Sequence, residues 1–212
     1  MVGFISTVGS EMVPNIVRQF RELNPEVEFS LRAITTADQL PMLETGAGDI
    51  GFLRLPIDGH PTLNVAIVHR EPFVLVVPSY HNLANRKRVR PRELSSHEFV
   101  MYEPTYAPGF HDLILGMLRD AKIVPHVSQT AAEISTLISL VAAHMGVAIL
   151  PASAVKHSVA PVIACDIVDK IPMSEIGIAF CKRVRAAVVD NFRSFALEKL
   201  GRPRNSLHAD RS

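Results

Sequence analysis

Gly3-Phe4-Ile5-Ser6-Thr7-Val8-Gly9-Ser10-Glu11-Met12-Val13-Pro14 is the stretch on which the fold reading turns. A short apolar run stops in a small, hydroxyl-bearing turn. A helix is expected next, with Ser10 as its N-cap, Glu11 in its first turn and Pro14 where a missing N–H is harmless. A strand end facing a helix start presents free N–H groups, hydroxyls and a positive partial charge, which suits a small anionic ligand. An ordinary strand–helix connection reads the same way, because Ser and Gly are common in any such turn.

Outward from that stretch, Met12, Ile16, Phe20 and Leu23 recur at helical spacing, and Val13 and Val17 widen the stripe. Asn24-Pro25 ends the helix, since the residue before proline avoids the α region. Val27, Phe29, Leu31 and Ala33 then alternate with polar residues, the period of a strand with one wet face. Thr35-Thr36 falls in the next turn, a short helix carries Leu40 and Leu43, and Gly46-Ala47-Gly48 ends it. Ile50 to Leu53 is a third strand. Strand–helix–strand–helix–strand implies parallel pairing through crossovers.

Two further strands are read at Leu63–Val68 and Pro72–Pro78, the second apolar throughout and so buried on both faces. The order then repeats: a strand at Phe99–Tyr102, a turn-rich loop from Glu103 to Phe110, and a helix through Leu113, Ile114, Met117, Leu118 and Ala121. After these come a short strand at Pro125–Ser128, a helix opened by Gln129-Thr130, and a strand at Val147–Pro151. Thr130-Ala131 holds the place of Thr36-Ala37. Strand material at Ala160–Ile167 and Ile176–Phe180 and a last helix with Val184, Val188, Phe192 and Phe195 are expected to return to the first unit. The fold class is therefore α/β: two Rossmann-like lobes with a ligand cleft between them and two crossover strands at the hinge. Residues 1–70 and 155–200 form the discontinuous first lobe, 71–98 a crossover strand and linker, 99–154 the second lobe, and 201–212 a polar tail.

The chain has 212 residues, enough for a sizeable core, and its net charge of +1 makes no case for binding nucleic acid or a membrane. Five of the seven residues from Arg86 to Arg92 are basic, but the run has no aromatics to stack bases, and a solvated linker accounts for it as well. Cys165 and Cys181 read as reduced, packed thiols of a cytoplasmic protein. With His144 and His157 they show no metal-ligand pattern. No signal peptide and no membrane-spanning apolar run is present.

The cleft gathers the candidate ligand contacts: Ser6, Thr7 and Val8; Thr35 and Thr36; Pro108, Gly109 and Phe110; and Thr130. Hydroxyls and helix-start N–H groups would hold carboxylate oxygens, while Pro108 and Phe110 would pack an apolar or planar body. A helix cap is the alternative role for each Thr, and core packing for Phe110. No G-x-S-x-G elbow, H-E-x-x-H, P-loop or G-x-G-x-x-G occurs, and His111 and Asp112, adjacent on a helix, face different ways. No enzyme activity, catalytic residue, metal or cofactor is assigned.

Over roughly residues 2–200 the chain resembles the effector-binding domain of LysR-type transcriptional regulators, a periplasmic-binding-protein type II-like fold. The resemblance is carried by Glu44-Thr45-Gly46-Ala47-Gly48-Asp49-Ile50-Gly51-Phe52 and by Leu140-Val141-Ala142-Ala143-His144-Met145-Gly146-Val147-Ala148-Ile149-Leu150-Pro151. His81-Asn82-Leu83-Ala84 and Pro91-Arg92-Glu93-Leu94 add to it, although the family's usual second residue in the former is proline. The chain looks most like the benzoate-, muconate- and chlorocatechol-responsive branch, and that likeness implies effector contacts at Thr7, Thr36, Pro108 and Phe110. It also implies a small carboxylate effector and a homodimer, tetrameric at full length. DNA would be bound only through an N-terminal winged helix-turn-helix that is absent here, as though the domain had been excised. A solute-binding protein of a transport system with the same two lobes is the alternative.

Overall fold

In the computed structural model, residues 1–201 are described except 157, 169–170 and 184–185. The first alternating segments become β1 (Val2–Phe4), β2 (Leu31–Ala33) and β3 (Ile50–Arg54), with β1 central and parallel to both neighbours. Between β1 and β2 the chain departs from expectation. It coils directly off the strand as α1 (Ser6–Gly9), and Ser10 is the C-cap of that turn. The following helix, α2 (Met12–Leu23), has Glu11 rather than Ser10 at its N-cap, because Glu11 breaks the helical backbone with φ −141° and ψ −56°. Strand β2 is shorter than the alternation suggests. Val27 and Phe29 precede it outside the sheet, and the Phe29 ring instead stacks edge-on against Phe20 at 6.0 Å and Phe192 at 5.1 Å. Helix α3 (Thr36–Thr45) is capped by Thr35 and ends at Gly46, whose φ of +83° a glycine adopts freely.

β4 (Leu63–Glu71) and β11 (Ser174–Cys181) complete a first sheet in the order β2-β1-β3-β11-β4, with β11 antiparallel to both neighbours. The chain leaves it at Glu71-Pro72 and enters a second sheet, β6-β10-β5-β9. Its strands are β5 (Phe73–Pro78), β6 (Arg88–Val89), β9 (Ala148–Pro151) and β10 (Val162–Ile167). A 3-10 turn, Pro91–Leu94, leads to β7 (Glu98–Tyr102), which pairs in parallel with β8 (His126–Ala131). A parallel bridge from Phe99 to Val147 ties β7 to the start of β9, so the second lobe repeats the parallel start of the first.

Residues 160–167 do not return to the first lobe as expected. Strand β10 pairs antiparallel with β5, an entirely buried strand that needs a ladder on both edges: β9 on one, β10 on the other. The return crossing comes after β10, and only β11 and α7 (Ala187–Leu200) rejoin the first lobe. The buried stripe of α7 is Phe192 and Ala196, flanked by Val189 and Phe195. Val188 lies one position off that stripe and is exposed, and Val184 lies outside the described residues.

In the second lobe, Pro108, Gly109 and Phe110 are the first turn of α4 (Pro108–Asp120) and not a loop, with Pro108 where helices favour proline. Thr130 does not open a helix: β8 runs on to Ala131, because Met101 and Tyr102 of β7 keep the ladder going, and α5 (Ile134–Ala142) starts later. Helix α6 (Ser153–Lys156) follows β9.

Candidate ligand site between the lobes

The starts of α1, α3, α4 and α5 converge where the two lobes meet. Ile5, Ser6 and Thr7 come from the end of β1, Thr36 from the start of α3, and Arg54 from the end of β3. The facing wall is Tyr102, Ala107, Phe110 and Ile134. Between them lies a cavity of about 20 Å³, room for about one water. Four contacts across the lobes hold it shut. Ser6 Oγ donates to Glu133 Oε2 at 2.6 Å, and the Ala37 N–H donates to the Tyr106 carbonyl at 3.1 Å. Gly109 lies so close to Pro56 that a Cβ there would sit 2.2 Å from the Pro56 carbonyl oxygen. The Arg54 guanidinium stands over the Phe110 ring, 5.2 Å from its centroid.

Arg54 dominates the site electrostatically. It is 4% exposed, at the end of an otherwise apolar strand. Its Nη1 donates to Ser174 Oγ at 2.5 Å and its Nη2 to Thr7 Oγ1 at 2.9 Å, while Glu71 Oε1 stands 3.8 Å away. Glu71 is itself shared, accepting from the Ser153 N–H at 2.6 Å and the Ser153 hydroxyl at 2.9 Å. The five-donor fork of Arg54 is thus only partly engaged, and its nearest anion is spoken for. Burial pushes the guanidinium down to about 10, against the opposing pull of Glu71 and Tyr102, so it remains a cation at neutral pH. The Tyr102 phenol is pushed up to about 12, first by burial and then by the charge of Glu133, while Arg54 pulls the other way.

Of the residues singled out in the sequence, Ser6, Thr7, Thr36 and Phe110 line the cavity. Thr36 Oγ1 accepts from the Arg54 N–H at 3.1 Å, which leaves its own proton for a ligand. The other five are not on the lining. Val8 is core, and its N–H donates to the Ile5 carbonyl. Thr35 Oγ1 is occupied by Asp38, accepting from its N–H at 3.2 Å and donating to its carboxylate at 2.7 Å. Pro108 is exposed, Gly109 packs on Pro56, and Thr130 donates to Glu103 Oε2 at 2.6 Å out on β8. Sequence reasoning missed Arg54, Tyr102 and Glu133. The available signal was a charged residue closing the apolar run Ile50-Gly51-Phe52-Leu53.

A larger hollow, about 620 Å³, lies on the second lobe among Arg88, Val89, Arg90, Arg92, Glu93 and Val168. It has no convergent helix starts, and its arginines are exposed. Among the described residues no cluster of His, Cys, Asp and Glu could hold a metal ion, and no helix is long and apolar enough to cross a membrane.

Two parallel-start lobes joined by two crossings, with a polar cleft at the helix starts, define a two-lobe ligand-binding domain of the periplasmic-binding-protein type. The LysR substrate binding domain family matches residues 1–201, and the chain belongs to that family. It is 31% identical over 204 residues to YnfL, an HTH-type transcriptional regulator of Escherichia coli K12, covering 94% of this chain and 67% of the relative. It is 32% identical over 152 residues to the HTH-type transcriptional regulator CatR of Pseudomonas putida, covering 72% of this chain and 52% of CatR. The chain thus spans about half to two thirds of the length of these relatives. The same fold is found in the effector binding domain of QuiR in complex with shikimate, at TM-score 0.86 and 21% identity, covering 94% of this chain and 95% of that one. The BenM effector binding domain with its effector benzoate matches at TM-score 0.78 and 22% identity, covering 99% and 97%.

Proposed function

We propose that this domain is the effector sensor of a cytoplasmic transcriptional regulator and binds a small organic acid, of the muconate-like or aromatic carboxylate class, between its lobes. One observation carries the reading: a fully buried, incompletely paired Arg54 beside the hydroxyls of Thr7 and Thr36, at a convergence of helix starts. A carboxylate would complete the guanidinium fork as a charge-assisted pair, and Phe110 would pack the ligand body. The regulators named above favour sensing over solute transport, and the benzoate effector of BenM and the shikimate bound by QuiR support an organic-acid ligand.

The closed cavity is far smaller than such an acid, so binding selects a lobe arrangement in which the Ser6–Glu133 and Ala37–Tyr106 contacts have parted or shifted. An effector acts only through its preference for one arrangement over the other. A homodimer would pass that change to DNA-binding heads joined at the N-terminus. Calorimetric titration with benzoate, shikimate and cis,cis-muconate tests the reading. Saturable binding that Arg54→Met weakens roughly a hundredfold is expected. Folded protein that takes up none of them overturns it.

A further inference from the structure

The cleft has two electrostatic poles. At one end Arg54 is held by Thr7; at the other Glu133 is held by Ser6, the preceding residue of the same turn. Tyr102 feels both charges: Glu133 pushes its phenol up and Arg54 pulls it down. Glu133 occupies the N-cap of α5 yet makes no capping bond to its own helix. Its carboxylate reaches across the cleft to the Ser6 hydroxyl instead. The local charges are one buried cation, Arg54, against two carboxylates, Glu71 and Glu133.

Resting on the carboxylate reading above and narrowing it to the monocarboxylates, away from the muconate-like acids, we propose that Glu133 sets the effector class: an acid whose far end carries a hydrogen-bond donor, hydroxyl or ammonium, with dicarboxylates selected against. One carboxylate of the ligand pairs with Arg54 and the donor replaces the Ser6 hydroxyl on Glu133. A ligand with a second carboxylate there meets an acceptor-only group of the same charge sign, with no donor between them. Glu133 is half-buried and its bond to Ser6 lies at the water-exposed rim of the cleft, so it discriminates by charge sign and by the presence of a donor. Glu133 therefore works by exclusion as much as by attraction.

A single-ring series isolates the effect: benzoate, meta-hydroxybenzoate, meta-aminomethylbenzoate and isophthalate, titrated calorimetrically into the wild-type domain and into Glu133→Gln. Gln still accepts from Ser6, so the closed state persists without the charge, and thermal melting checks the fold. In the wild type the two donor-bearing acids bind about threefold to fivefold tighter than isophthalate. In Glu133→Gln that gap closes as isophthalate gains and the aminomethyl acid loses. Whichever donor binds tighter, hydroxyl or ammonium, names the effector's far group. Ser6→Ala, which frees Glu133, sharpens the preference further. Isophthalate binding as tightly as meta-hydroxybenzoate in the wild type, or an unchanged ranking in Glu133→Gln, overturns the role of Glu133 and leaves the Arg54 reading standing. No binding by any of the four acids overturns both.

Discussion

Two arginine sites in this molecule differ in nearly every respect. Arg88, Arg90 and Arg92 border a hollow of about 620 Å³, while Arg54 borders a cavity of about 20 Å³. The first group has more charge and more room. It also sits in water, where each charge is screened and an anion gains little by leaving its hydration shell. Arg54 has lost its water already, is held by two hydroxyls, and stands 3.8 Å from a carboxylate that Ser153 also engages. What the pair teaches is that desolvation and pre-organisation, rather than volume or charge count, single out the candidate ligand site.

The largest expected effect comes from removing the buried cation. Arg54→Met leaves Glu71 buried without its partner, which destabilises the fold by about 3–5 kcal/mol in urea unfolding. Glu71→Gln added to it restores part of that loss. Carboxylate affinity in the single variant falls roughly a hundredfold, as expected for about 3 kcal/mol of charge-assisted hydrogen bonding. Gly109→Ala comes next: its Cβ has no space beside Pro56, so the lobes part and stability drops by about 1–3 kcal/mol. Faster hydrogen exchange at the Ala37 amide, which bonds across to Tyr106, reports that opening directly.

Thr36→Val keeps the shape but leaves the buried Arg54 N–H unpaired. A loss of about 1–2 kcal/mol and roughly tenfold weaker effector binding are expected. Affinity in the wild type stays flat between about pH 7.5 and 9, because Arg54, at about 10, keeps its proton there and would release a carboxylate only as pH rises through that value. The smallest effect belongs to the exposed group. Arg88→Ser with Arg90→Ser leaves melting temperature and acid affinity unchanged. Loss of acid binding in that variant would reverse the comparison between the two arginine sites.

The hydroxyls that line the candidate site were legible in the chain. Thr7 and Thr36 stand where a strand gives way to a helix, and that placement follows from local periodicity and turn chemistry. Phe110 came from the turn-rich segment after the Phe99–Tyr102 strand, and the family likeness pointed to the same residue. Arg54 and Glu133 were not legible. Arg54 looks like the polar end of a strand leaving the core, and only the packing of Ser174 and Phe110 over it makes it a buried cation. Glu133 looks like an ordinary helix cap until the first lobe brings Ser6 to within 2.6 Å of it, across 127 residues of chain. Thr130 failed for a related reason: β7 holds β8 in register three residues further than local propensity suggests, so its hydroxyl donates to Glu103.

The amino-acid sequence determined the two α/β units, their parallel strands, their helix faces and the hydroxyl-bearing turn after β1. These follow from patterns within a dozen residues, where backbone geometry and apolar spacing act alone. The tertiary structure decided that β10 stays with the second lobe, that α1 coils straight off the strand so that Ser6 and Thr7 face the cleft, and that one arginine outweighs several. Those outcomes depend on which distant surfaces exclude water from which side chain, and that is set only when the lobes close on each other.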